Sequence, residues 1–157
     1  MHDAEASSRR WSLCYLIKPK LKTINTMEIT YRVPAEISAE EAAELYVEAG
    51  WMDQADAAAV EAMLRGTFAV SAAYCDGKLI GFMRALSDGV SDAYMLDLIV
   101  HAPERGKGVG RHILHNLADY LQGLGIDWTV CIGAPGTKQF YERTSASVMD
   151  DYTPYRF

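Results

Sequence analysis

Arg105-Gly106-Lys107-Gly108-Val109-Gly110 stands between an apolar run, Met95-Leu96-Asp97-Leu98-Ile99-Val100, and an amphipathic segment from Val109 to Leu121. This order predicts a strand, a short connection, a glycine-rich turn and a helix start. Glycine has no Cβ, so the backbone here can turn tightly and come close to a ligand. The first N–H groups of the following helix lack intrahelical partners and sit at the positive end of its dipole. A site of this kind binds phosphate. Arg105 and Lys107 add positive charge to the same loop.

Two phosphate-binding patterns fail on the residues. A P-loop needs Lys-Ser or Lys-Thr after its last glycine, to hold magnesium, but this turn ends Gly110-Arg111. A dinucleotide fingerprint needs G-x-G-x-x-G directly after a strand and an acidic residue about 20 positions on. Here the spacing is G-x-G-x-G, His101-Ala102-Pro103-Glu104 intervenes, and Asp127 comes before the next strand, out of reach of a ribose. The acyl-CoA pyrophosphate loop, [Arg/Gln]-x-x-Gly-x-[Gly/Ala], fits without a gap. With His101-Ala102-Pro103 before it and Phe140-Tyr141-Glu142-Arg143 after it, the chain resembles the GNAT superfamily of acetyl-CoA-dependent N-acyltransferases from about Met27 to the C-terminus. The resemblance implies an α+β (α/β) GNAT-like fold. Its central sheet is mixed and mostly antiparallel, with a parallel pair splayed at the acetyl-CoA site and helices on its flanks.

The 157 residues suggest one domain with room for a core. Half are hydrophobic and 23% are charged, a globular profile. No apolar run approaches the ~20 residues of a spanning helix, so no membrane partner is expected, and a cytoplasmic location is. The formal net charge is −6; residues 1–26 carry +3, leaving −9 for the remainder. Such a surface repels a phosphate backbone, which argues against nucleic acid, and is compatible with a cationic amine. Cys14, Cys75 and Cys131, with no close spacing, give neither a disulfide framework nor a zinc site; Cys75 and Cys131 read as small core residues. Residues 1–26 read as an extension outside the fold, and residues 27–157 as the acetyltransferase domain. Met27 is the expected natural start, because Met27 to Val33 begins a strand-like alternation.

Along the chain, Ser38-Ala39-Glu40-Glu41 is a capping box, and Ala42, Leu45, Tyr46 and Ala49 recur at helical spacing until Gly50. Asp53 is the expected cap of a second helix, with Ala57, Val60, Met63 and Leu64 on one face and Gly66 at its end. Trp51, between them, lines an acceptor pocket or joins the helices as a core aromatic. A meander follows: Thr67–Cys75, the turn Asp76-Gly77, Lys78–Leu86 with a bulge signalled by Gly81, the turn Asp88-Gly89, and Asp92–Val100. The helix after the loop carries Val109, Ile113, Leu114, Leu117 and Leu121 on one face, with His112 and His115 on its solvated side. Trp128–Ile132 is the next strand, parallel to Asp92–Val100 if the helix is a right-handed crossover. Thr137 caps a short helix through Arg143, and Val148–Phe157 is expected to form one more strand.

The resemblance implies direct acetyl transfer from acetyl-CoA to a primary amine, most simply a small molecule, in a ternary complex without a metal. Backbone groups at Leu98, Ile99 and Val100 would pair with the pantetheine arm, one N–H polarising the thioester carbonyl. Arg105, Gly106, Lys107, Gly108, Val109 and Gly110 would hold the pyrophosphate, with Thr137 as a further cofactor contact. Tyr141, in the family's Phe-Tyr-x-[Lys/Arg] motif, would protonate the departing thiolate. A primary amine of pKa about 10.4 is roughly a thousandth neutral near pH 7, so a base or a desolvated site must help. Asp97 is one candidate, receiving the amine or ordering a water. Strict alternation puts it on the face opposite Tyr94 and Leu96, so a bulge is needed for it to share their site. It reads equally well as an Asp held by backbone or Arg partners. Tyr94 is the second candidate, positioning a water.

The chain departs from the family pattern in three places. Thr144-Ser145-Ala146 replaces the usual Gly and aromatic residue, Ala134 stands where an Asn often contacts CoA, and only one clear strand follows Tyr141. The closing hairpin is therefore short, or completed by a partner subunit in a homodimer. Glu44-Leu45-Tyr46, Gly50-Trp51 and Ala134-Pro135-Gly136 look like a bacterial branch related to plastid arylalkylamine acetyltransferases. Two other classes stay open: an acyl-CoA-binding module without turnover, and an acetyltransferase of protein lysines or N-termini.

Overall fold

The computed structural model describes residues 28–157. The reading of residues 1–26 as an extension, Met27 and Cys14 lie outside the described residues. The element order is β1 (Ile29–Arg32), α1 (Ala39–Glu48), α2 (Ala57–Arg65), β2 (Ala69–Cys75), β3 (Lys78–Ser87), β4 (Asp92–Val100), a 3₁₀ turn (Ala102–Glu104), α3 (Val109–Gly123), β5 (Trp128–Cys131) and α4 (Lys138–Tyr141). The five strands form one sheet in sequence order. Neighbours pair antiparallel except β4 and β5, which run parallel with α3 as their crossover. This is the mixed, mostly antiparallel architecture that the resemblance implies.

Both faces of the sheet are covered. The apolar stripe of α3, Val109, Ile113, Leu114, Leu117 and Leu121, is buried against Ala73, Met83, Ala85 and Met95. On the other face, Ala42, Leu45 and Tyr46 of α1 and Val60 of α2 pack on Val70, Ala72, Phe82 and Ile99. Strands covered on both sides must be apolar at nearly every position, and β2 and β3 are buried almost throughout. Ser38 caps α1, its Oγ accepting the Glu41 N–H. The turn Asp76-Gly77 has positive φ at both residues, as a two-residue type I′ hairpin requires.

Two bulges set the phase of the sheet. On β3 the register moves from Ala73↔Gly81 to Tyr74↔Leu79, so Ile80 is the extra residue beside Gly81. On β4 the register moves from Arg84↔Leu96 to Phe82↔Ile99, so Asp97 and Leu98 together oppose Met83. Residues four apart on a regular strand share a face, yet Met95 belongs to the α3 core and Ile99 to the α1 core. The second bulge makes that switch. Asp97 is its strained residue, with φ of +59°.

Several local expectations are corrected. The cap of α2 is Asp56, whose carboxylate accepts the Ala59 N–H; Asp53 lies one turn too early. β2 begins at Ala69, because the N–H and Oγ1 of Thr67 both bond carbonyls of α2. β3 runs on to Ser87, β5 stops at Cys131, and α4 ends at Tyr141. Thr137 makes no side-chain cap; its Oγ1 donates to the Ala134 carbonyl at 2.6 Å. His112 is exposed, as expected, and stacks on Tyr31 at 5.0 Å, whereas His115 is half-buried, with no hydrogen-bond partner for its Nε2 among the described residues. No strand forms in 148–157: the chain turns back between Met149 and Tyr152, and Pro154 has no N–H to offer a ladder. Cys75 and Cys131 are half-buried, form no disulfide among the described residues and pack at the margin of the α3 core.

Candidate active site

β4 and β5 pair only from Asp92↔Trp128 to Met95↔Cys131. β4 continues to Val100, whereas β5 stops, so the strands part and Leu96–Val100 lose their β5 neighbour. A cleft of about 680 Å³ opens there. It brings together Trp51, Asp97, Leu98, Val100, Arg105, Gly106, Gly108, Val109, Gly110, Thr137 and Tyr141. Most candidates chosen from sequence thus meet in one place. Ile99 faces away into the α1 core, and only its backbone lies along this edge. Lys107 projects outside the lining and pairs with Glu104 at 3.0 Å. Tyr94 is half-buried and also outside the lining.

The loop is shaped for an anion. Gly106 and Gly108 have φ of +78° and +87°, and Gly108 is the N-cap of α3. The first helical bond closes from the His112 N–H to the Gly108 carbonyl. The N–H groups of Val109, Gly110 and Arg111 therefore have no partner within the helix, and all three residues line the cleft. Unpaired N–H groups at the positive end of a four-turn helix fit a pyrophosphate. Arg111 and Arg143 line the same cleft; Arg143 enters the sequence reading only as the basic residue of the Phe-Tyr-x-[Lys/Arg] motif, and neither has a role there.

Tyr141 reaches the cleft from α4. Its ring lies on the bare face of Gly133, where an added Cβ would stand 3.1 Å from the ring. Burial, with the Cys131 thiol beside it and Tyr94 nearby, pushes its phenol up to about 12. A phenol held that high keeps its proton throughout the neutral range.

Asp97 sits on the α1 side of its bulge. Its Oδ2 accepts the Tyr46 hydroxyl at 2.7 Å and the Arg84 Nε at 2.6 Å. Arg84 is buried, and its Nη1 also reaches Thr67 Oγ1 at 3.4 Å. Burial and the bond to Asp97 push the Tyr46 phenol up. Burial disfavours the charge on Arg84, but the bond and charge of Asp97 outweigh it and raise its pKa. The bulge that lets Asp97 enter the site is present, and so is its arginine partner. Tyr46 and Arg84 escaped the sequence reading: one lay within an apolar stripe, and neither is near Asp97 in the chain. Trp51 is half-exposed at the cleft, 6.2 Å from the Tyr46 ring. Among the described residues, no group of three His, Cys, Asp or Glu side chains could hold a metal, and no helix is long and apolar enough to cross a membrane.

Residues 32–145, well over half of the chain, match the family model described as "Acetyltransferase (GNAT) family". An uncharacterized N-acetyltransferase, ycf52, of Pyropia yezoensis is 31% identical over 68 residues, which cover 43% of this chain and 39% of that protein. A chloroplastic serotonin N-acetyltransferase 2 of rice is 32% identical over 71 residues, covering 45% of this chain and 36% of that one. The chain thus spans about two fifths of the length of these relatives. A probable acetyltransferase of Staphylococcus aureus has the same fold, with a TM-score of 0.67 at 19% identity, covering 82% of this chain and 98% of that one.

Proposed function

Because the chain belongs to the GNAT acetyltransferase family, we propose that it moves an acetyl group from acetyl-CoA to a small primary amine, by direct transfer in a ternary complex. The observation that carries this reading is the parting of β4 and β5 beside the glycine loop, with Tyr141 in the same cleft. The α3 N-terminus and Gly106–Gly110 hold the pyrophosphate. The freed edge of β4 at Leu98–Val100 pairs with the pantetheine amides, as a strand edge without a neighbour can. A backbone N–H at the bulge polarises the thioester carbonyl and steadies the oxyanion as the amine nitrogen attacks.

The new C–N bond forms as the C–S bond breaks. The amine gives up a proton, and Tyr141 hands one to the departing sulfur. The burial that raises the Tyr141 phenol also raises the proton affinity of a thiolate beside it, which offsets part of the difference between the two. Asp97 is proposed to receive the amine or the water that takes its proton, through Oδ1, since its bonds to Tyr46 and Arg84 both fall on Oδ2. Trp51, Met83, Leu96 and Ile132 give the cleft apolar walls, which suits an amine on an apolar or aromatic body. The chloroplastic relative named for serotonin acetylation supports the same direction.

A panel of amines and peptides with acetyl-CoA, read by release of free CoA, tests the proposal. Turnover with a small aromatic amine is the expected result. Turnover only with peptides would move the acceptor to protein. Acetyl-CoA binding without turnover on any acceptor would make the chain a binding module.

A further inference from the structure

Glu48, the last residue of α1, lies far in sequence from the glycine loop, and its carboxylate holds the loop's entrance from three sides. Oε1 accepts the backbone N–H of Ala102 at 2.5 Å. Oε2 lies 2.6 Å from His101 Nδ1. The Arg105 guanidinium reaches Oε1 at 3.6 Å, and its Nε donates to the Val100 carbonyl at 2.8 Å. One side chain thus grips the 3₁₀ turn between β4 and the loop. Burial opposes the charge on Glu48, but the bonds from His101 and Ala102 and the charges of His101 and Arg105 outweigh it and lower its pKa.

This grip changes the role of Arg105. Among the described residues, the Arg105 guanidinium turns inward to Val100 and Glu48, and the other loop cation, Lys107, is paired with Glu104. The loop beyond contains two glycines at positive φ. Such a segment loses much conformational entropy when a ligand orders it, and fixing it beforehand removes that cost from binding. A carboxylate near a phosphate site also repels the ligand. The bond to the Ala102 N–H decides between these effects, because it fixes backbone directly, while the charge of Glu48 is balanced by Arg105.

We propose that Glu48 is a positioning residue for the cofactor, clasping the entrance of the Arg105–Gly110 loop so that its N–H groups are aligned before acetyl-CoA arrives. The proposal rests on the acyl-CoA reading of the cleft and assigns that site a determinant on α1. Glu48→Ala removes every contact, whereas Glu48→Gln keeps an acceptor for Ala102 and loses the charge. The Ala variant should raise the Kd for acetyl-CoA about tenfold, and the Gln variant should recover part of that loss. With an accepted amine, the KM for acetyl-CoA should rise while kcat at saturation and the acceptor KM stay near wild type. In the ligand-free chain, amide exchange at Gly106 and Gly108 should quicken in Glu48→Ala, with the α3 core amides unchanged.

Unchanged affinity together with unchanged exchange would overturn the clasp. So would tighter binding in Glu48→Gln, since Glu48 would then be competing with the phosphates for Arg105. The exchange measurement needs no ligand, so it separates failure of the clasp from failure of the acyl-CoA reading, which wild-type calorimetry with acetyl-CoA tests alone.

Discussion

Two side chains of the cleft have opposite dependences on their surroundings. Tyr141 is held by packing on Gly133 and needs only its hydroxyl for the proposed chemistry. Tyr141→Phe should lower turnover about 10²–10⁴-fold, the usual range for general acid–base catalysis, while melting temperature and acetyl-CoA affinity stay near wild type. Since the phenol is held up to about 12, the wild-type rate should show no alkaline loss from Tyr141 through pH 9. An inflection there that disappears in the Phe variant would show the phenol itself titrating in that range, overturning its raised pKa but not its role as donor. Asp97 is bound into structure as well as exposed to the site. Its pairing with Arg84 joins side chains only 19% and 10% exposed, and losing one partner of such a pair costs roughly 3–5 kcal/mol. Asp97→Asn tolerates positive φ and leaves Arg84 short of a countercharge. A lower melting temperature in step with lost turnover would assign Asp97 to holding the bulge. Lost turnover at unchanged melting temperature would assign it to proton transfer.

Turns and caps carry the next level. Gly108 caps α3 at φ of +87°, and the nearest atom to an added Cβ is His112 Nδ1 at 3.9 Å. Strain, not crowding, therefore opposes a side chain at this position. Gly108→Val should abolish acetyl-CoA binding in calorimetry while the α3 core keeps the chain folded; unchanged affinity would sink the phosphate-loop assignment. The β3–β4 turn offers a pH test. Asp88 accepts N–H bonds from Val90, Ser91 and Asp92, which pull its carboxyl down to about 2. A depressed folded-state pKa contributes stability above the unfolded value near 3.9, lost as pH falls toward 2. The amide signals of Val90–Asp92 should therefore shift as pH falls below about 3, through a midpoint of about 2, and hold steady above. In Asp88→Ala that titration should vanish.

Across the whole molecule, one sheet between two helical layers places the cleft at its parallel edge. The described fold begins with β1 at Ile29, and the half-buried Ile29 and Tyr31 pack against the α3 core. A chain beginning at Met27 should keep the melting temperature and acetyl-CoA affinity of the full sequence. A drop of several degrees would show that residues 1–26 contribute to the core.

The sequence alone determined whatever rests on near neighbours in the chain. The N-cap at Ser38, the turn at Asp76-Gly77, the α3 stripe and the glycine loop each depend on residues a few positions apart, whereas the Glu41 carboxylate leaves the expected capping box for the Leu79 N–H. Local geometry then leaves little choice, and the strand–loop–helix order located the cleft. The same reading asked for a bulge at Asp97 but could not supply it. Only tertiary structure decided that the bulge forms, with Tyr46 and Arg84 bonded to Asp97 across α1 and β3. It also decided that Glu48 grips the loop entrance and that Tyr141 rests on Gly133. It left 148–157 outside the sheet, although the sequence reads as a strand. These outcomes depend on which elements meet across the fold, where hydrogen bonds and burial between distant residues outweigh the preference of any one segment.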